Sequence, residues 1–169
     1  MLISNPIAHH PQLVAGIGQM HVSCDPNMML LASNLGSCLG IAVFDPVKKC
    51  GGMVHCLLPF SGKDVAKAHK SPCMYVDTGL MAIIKGVIDL GAEKRRLVIA
   101  VAGGAQLNDE NSVFQIGKKN YTVLRKILWK NNLLIKAEDI GGMQSRTIAL
   151  HVGTGDILVR ANGEWKVLC

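Results

Sequence analysis

With 169 residues, 49% of them hydrophobic and 18% charged, the chain has ample apolar material for a buried core and lies far from the disordered class. We expect one domain over 1–169 with no linker. The formal charge of +6, from 18 Lys and Arg against 12 Asp and Glu, favours acidic partners through long-range steering.

The basic residues fall in short groups such as Lys48-Lys49, Lys94-Arg95-Arg96 and Lys118-Lys119, and three Phe, two Trp and two Tyr give little surface for stacking bases, which argues against nucleic acid as a partner. No stretch reaches the roughly 18 uninterrupted apolar residues of a membrane span, so membrane insertion is not expected. The opening residues lack a basic start followed by an apolar run. The chain reads as cytoplasmic, with residues 1–12 mobile, and its six cysteines are expected to be reduced thiols.

In chain order, residues 13–22 and 28–33 read as strands separated by the turn Asp25-Pro26-Asn27. Residues 38–44 and 51–58 are two more, joined through Asp45-Pro46, the second stopped by Pro59. A short helix fits 63–69. Residues 78–90 place Leu80, Ile83, Ile84, Val87 and Ile88 at helical spacing, with Asp77-Thr78 as a cap and Gly91 as the stop. A strand over 96–102 ends at Gly103-Gly104, and a second covering helix over 120–131 repeats the spacing through Val123, Leu124, Ile127 and Leu128. Residues 133–140 form a strand closed by Gly141-Gly142, and 146–152 with 156–160 form a hairpin around Gly153-Thr154-Gly155. Strands that precede and follow two amphipathic helices predict an α/β (α+β) sandwich, with mixed β-sheet layers and covering helices.

The segment Asn34-Leu35-Gly36-Ser37-Cys38 sets a cysteine directly after Gly and Ser at the mouth of a strand. A thiol there is reachable by a substrate, and backbone N–H groups of the turn, with Gly36 and Ser37 as candidates, are placed to receive an oxyanion. His55 lies in the neighbouring predicted strand, and an imidazole beside a thiol takes its proton or stabilises its anion. For each residue alone the plainer reading is a buried core side chain. A zinc site from Cys38, Cys50, His55 and Cys56 has suitable ligand types but no Cys-x-x-Cys or His-x-x-x-His pair. The Gly pairs lack a phosphate-loop pattern, and His9, His10 and His151 carry no signal beyond surface or core positions.

The run LGSCLGIAVFD followed by GGMVHCLLP, with His55 17 positions after Cys38, resembles the chemoreceptor glutamine deamidase family, CheD. Further matches come in order: Tyr75-Val76-Asp77-Thr78, Leu90-Gly91-Ala92, Gly103-Gly104-Ala105, Ile116-Gly117-Lys118-Lys119-Asn120, Asp139-Ile140-Gly141-Gly142 with Arg146, and Thr154-Gly155. Together they span about 13–160. The resemblance implies hydrolysis of glutamine side chains on methyl-accepting chemoreceptors to glutamate with release of ammonia. It implies Cys38 as nucleophile, His55 as its histidine, an α/β sandwich, and regulatory contact with a CheC-type phosphatase; no metal or organic cofactor is called for. The family usually carries Thr six positions before the cysteine, where this chain has Ala32. Ser33, one position later, keeps a hydroxyl and is the candidate third member. Ala102 and the Gln144-Ser145 pair also depart from the family pattern. The missing Thr leaves open a second reading, a binding module that docks a phosphatase or receptor with little catalysis.

Overall fold

The computed structural model describes residues 5–106 and 114–169, whose ten strands form two five-stranded sheets. One sheet has the order β1 (Gln12–Val14), β3 (Met29–Leu35), β8 (Arg146–His151), β9 (Ile157–Ala161), β10 (Glu164–Val167). The other runs β2 (Met20–Ser23), β5 (Cys50–Cys56), β4 (Leu39–Asp45), β6 (Val98–Gly103), β7 (Ala137–Ile140). Each is mostly antiparallel with one parallel pair, β1 with β3 and β6 with β7, so the sheets are mixed and the α+β sandwich is what forms. Of the helices α1 (Val65–Lys70), α2 (Val76–Asp89) and α3 (Ile116–Lys130), the last two cover the outer face of the second sheet. That sheet is therefore the middle of three layers.

A middle layer must be apolar on both faces, which explains the unbroken apolar run of β4. Leu39, Ile41 and Val43 pack under the helices, while Ala42 and Phe44 face the first sheet. Helix α2 contributes Leu80, Ile83 and Val87, all fully buried, each stabilising by about 1.5–3 kcal/mol relative to exposure.

Several boundaries differ from the sequence reading. The strand expected over 13–22 is two strands in different sheets, because the chain crosses between layers at residues 15–19, with Gly18 at positive φ. The strand expected over 133–140 is confined to Ala137–Ile140. Helix α3 begins four residues before the predicted 120. Asp77 does not cap α2: Tyr75 holds the N-cap position, and the Asp77 carboxylate accepts from the N–H and hydroxyl of Ser61. Strand β10 was not expected, although Asn162-Gly163 between β9 and β10, both at positive φ, is the strongest short hairpin signal.

In the N-terminal segment, Met29 N–H donates to the Pro11 carbonyl, Gln12 Nε2 to that of Ile7, and Ile7 packs against the cluster that includes Met29 and Trp165; residues 1–4 lie outside the described residues. One further expectation is corrected. The six cysteines are not all thiols. Strands β2 and β5 pair Ser23 with Gly51, so the next position sets Cys24 opposite Cys50, and the two form a disulfide. Cys38, Cys56, Cys73 and Cys169 are free.

The turn at Asp45-Pro46 is held by a buried carboxylate. Asp45 accepts from Arg96 Nε at 3.0 Å and Nη2 at 2.8 Å, and from the backbone N–H groups of Val47, Lys48 and Glu93. The Arg96 guanidinium, ahead of these N–H groups, holds the carboxyl well below the usual carboxylate range against the opposing effect of burial. Asp45→Asn should cost about 3 kcal/mol in urea unfolding, since it leaves buried partners without their anion. With a depressed folded pKa, this contribution is fully present above the unfolded value of about 4 and fades as pH falls below it; the variant should show a shallower loss of stability on acidification.

Candidate active site

Strand β4 starts one residue after Cys38, so the cysteine sits at the end of the β4–β5 ladder. Gly40 pairs across to His55, and Cys38, two positions back, is on the same face. The two side chains are diagonal neighbours on one face, a relation that sets backbones about 7 Å apart. Both point between the sheets: Cys38 packs with Ala32, Leu35 and Ala42, and His55 follows Met53, which faces the same layer. Gly40 lies between them, and a Cβ there would press on Ile148 and Leu35 at 2.7 Å. Its missing side chain lets Ile148 and Leu35 of the other sheet close down on the ladder between them.

His55 is held from three directions by the crossing segment. Its N–H donates to the Gln19 carbonyl, its carbonyl accepts from Gly18 N–H, and its Nδ1 lies 3.1 Å from the Ala15 carbonyl. A carbonyl only accepts, so Nδ1 carries the proton and Nε2 presents its lone pair. Nε2 is buried and unpartnered. Burial holds the imidazole pKa below its ordinary value, with the Ala15 contact opposing it. Burial likewise pushes the Cys38 thiol up, while its own backbone N–H, facing the sulfur, acts weakly the other way. Both shifts favour a neutral thiol and a neutral imidazole at rest, the forms that the ordinary values of about 8.5 and 6.5 also favour. Among the described residues no hydrogen bond joins them, which is common before substrate tightens such a site.

The loop before the cysteine is fixed by backbone. The Cys38 carbonyl accepts from Gly104 N–H and the Gly36 carbonyl from Ala105 N–H. At Gly103, with φ +116°, a Cβ would fall 2.1 Å from the Cys38 carbonyl oxygen, so only glycine fits. Of the two oxyanion candidates, Gly36 has its N–H engaged by the Asn34 carbonyl at 3.1 Å. The N–H of Ser37 has no acceptor among the described residues. Asn120, fully buried on α3, donates through Nδ2 to the Ser37 carbonyl at 2.9 Å and the Leu57 carbonyl at 3.0 Å. Sequence reasoning gave Asn120 no role. Its signals were its place in the family-like run 116–120 and an amide at an otherwise inward-facing position of a helix.

Ser33 is not brought into this group. The register of β3 against β8 shifts between Ala32, opposite Ile148, and Leu35, opposite Arg146, a β-bulge. Ala32 and Leu35 both face the intersheet layer with Cys38. The bulge leaves Ser33 and Asn34 opposite Thr147, and the Ser33 hydroxyl makes no hydrogen bond among the described residues. The contact that orients the imidazole comes from the Ala15 carbonyl. No side-chain motif announces a backbone oxygen. Of the zinc-type group, Cys50 is in the disulfide and Cys56 faces the helices, so the four side chains do not converge.

Residues 57–161 match the family model described as CheD chemotactic sensory transduction. The chain is 41% identical over 157 residues to a "Probable chemoreceptor glutamine deamidase CheD" of Solibacter usitatus, covering 93% of each chain. It is 40% identical over 151 residues to "CheD 1" of Syntrophus aciditrophicus, covering 89% of this chain and 94% of the relative, which bears the same description. A protein so described from Pyrococcus horikoshii is 40% identical over 160 residues, covering 93% of this chain and 96% of its own.

The protonation states set how Cys38 reacts with iodoacetamide. Its alkylation rate should keep rising above pH of about 8.5, the ordinary cysteine value, with no plateau on the acid side from a preformed thiolate. His55→Ala should slow the reaction at pH 7 by removing the neighbouring base. An acid-side plateau in the mass-spectrometric labelling of Cys38 would show that the pair rests as thiolate and imidazolium instead.

Proposed function

The chain belongs to the CheD family, and from that premise we propose that it hydrolyses glutamine side chains of methyl-accepting chemoreceptors to glutamate, with Cys38 as nucleophile and His55 as base and acid. The observation that carries this reading is the buried His55 Nε2, unpartnered on the face that the histidine shares with Cys38, while Nδ1 is committed to Ala15. A base so oriented has one direction in which to accept a proton.

In the first half-reaction His55 Nε2 takes the thiol proton as Sγ bonds to the carboxamide carbon, and the carbonyl π pair moves onto oxygen. The imidazolium then gives that proton to the amide nitrogen, the C–N bond breaks and ammonia leaves a thioester. In the second, water loses a proton to Nε2, attacks the thioester and expels the thiol, leaving a glutamate carboxylate. The lowered pKa of His55 suits it to both halves, being neutral at rest and a ready donor once protonated. No step requires a metal or an organic cofactor.

The receptor is the partner this chemistry requires. A basic surface beside the site supports it: α3 carries Lys118, Lys119, Arg125, Lys126 and Lys130, all exposed, and no acidic residue. Each turnover adds a carboxylate to the substrate, so the product side is acidic and attraction should weaken with salt. A CheC-type phosphatase as regulator is proposed on the family resemblance alone. We assign the cytoplasm on the family resemblance, and there the Cys24–Cys50 disulfide is exposed to reduction; no helix among the described residues is long and apolar enough to cross a membrane.

Ammonia release from a chemoreceptor cytoplasmic fragment tests the reading. Cys38→Ala should abolish release while shifting the thermal midpoint little, and His55→Ala should lower it at least a hundredfold. The acid limb of the wild-type profile should lie below pH of about 6.5, the ordinary histidine value, since protonating Nε2 removes the base. Ser33 enters the proposal with a minor part: Ser33→Ala should cost about threefold or less, and a tenfold loss would restore it as third member. No release from the wild-type chain, with receptor binding retained, would favour the docking module.

A further inference from the structure

Asn120 bridges two carbonyls at the point where the β4–β5 ladder opens. The last ladder pair is Leu39 with Cys56; one residue beyond, the strands separate, and the amide nitrogen of Asn120 takes the Ser37 carbonyl from one side and the Leu57 carbonyl from the other. Two acceptors on one end fix which end of the amide is nitrogen, so Oδ1 stays buried without a partner. Such an unpaired acceptor is rare enough in folded proteins to call for an explanation. A residue selected for packing alone would fill the space without it.

The explanation lies in the peptide that Asn120 grips. The Ser37 carbonyl and the Cys38 N–H belong to one planar trans peptide and point in opposite directions. Holding the carbonyl toward α3 therefore turns the Cys38 N–H toward the sulfur, on the side where a carbonyl under attack develops negative charge. Gly36 cannot serve there, its N–H being engaged by Asn34. We infer that Asn120 is a positioning residue which, by holding the Ser37–Cys38 peptide plane, aims the Cys38 N–H at the oxyanion of the tetrahedral intermediate. The inference rests on Cys38 being the nucleophile.

Two reactions of the same thiol separate this role from a general structural one. Acylation of Cys38 by p-nitrophenyl acetate forms the Sγ–C bond, moves the carbonyl π pair onto oxygen, then re-forms the carbonyl as nitrophenolate leaves. Alkylation by iodoacetamide displaces iodide at a saturated carbon and builds no oxyanion. Rates for the full-length wild type, Asn120→Ala and the near-isosteric Asn120→Asp are measured after subtracting those of the Cys38→Ala chain. Both Asn120 variants should lose about 30-fold or more in acylation, in the lower range for a missing oxyanion donor, with alkylation within threefold of wild type. Acylation within threefold, a parallel fall in both reactions, or loss of the fold in both variants would overturn the inference, the last two making Asn120 a structural clamp. A wild-type chain acylated no faster than Cys38→Ala would instead sink Cys38 as nucleophile, and the inference with it.

Discussion

The hydrogen bond from His55 Nδ1 to the Ala15 carbonyl joins the two halves of the molecule's design. Ala15 follows β1 in one sheet, and four residues later the chain is entering β2 in the other. The crossing therefore delivers a backbone oxygen to the gap between layers at the depth of the imidazole. A side-chain carboxylate in that position would favour imidazolium. A neutral carbonyl fixes the tautomer and orientation while leaving the ring uncharged, as burial also requires. The tautomer of the ring and the lone pair that Nε2 presents follow from this one contact, while burial of each side chain favours its neutral form.

The surrounding layers keep the geometry rigid. The Gly103-Gly104-Ala105 turn clamps the Gly36 and Cys38 carbonyls, and Gly117 at the start of α3 lies so close to that turn that a Cβ would meet the Gly104 carbonyl oxygen at 2.5 Å. Helix, turn and the loop before Cys38 are thus stacked backbone against backbone. Glycines at 40, 103 and 117 are the condition for that approach, because any side chain would force the layers apart.

Much of this was legible in the sequence, for reasons that can be named. Long apolar runs such as 38–44 and the 3.6-residue spacing of α2 are fixed by burial, and burial is what hydrophobic patterning records. Cys38 and His55 stood out because a thiol and an imidazole are reactive by type, and the register sets them on one face. The split of 13–22 was not, since β1 and β2 are both short and apolar and only the tertiary crossing separates them. Ala15 is invisible for a deeper reason: what acts is its carbonyl, which every residue possesses. Asn120 failed differently, as an amide within a helical pattern reads as a solvated or tolerated position until its two carbonyl partners are seen. Ser33 shows the limit of trading hydroxyls between adjacent positions. Its neighbour Ala32 occupies the inward site, and the bulge that interrupts the alternation carries Ser33 with Asn34 to the side of Thr147.

The Cys24–Cys50 disulfide closes a loop with a sequence separation of 26, and Cys38 lies inside it. A chain nicked between those cysteines would still migrate as one molecule on a non-reducing gel, and its tryptic peptides around Cys38 would remain tethered until reduced. A reductant that keeps Cys38 a thiol also opens this ring, enlarging the unfolded ensemble and withdrawing the stabilisation that loop closure provides. Preparations handled with and without dithiothreitol are therefore topologically different polymers, and their melting curves belong to separate series.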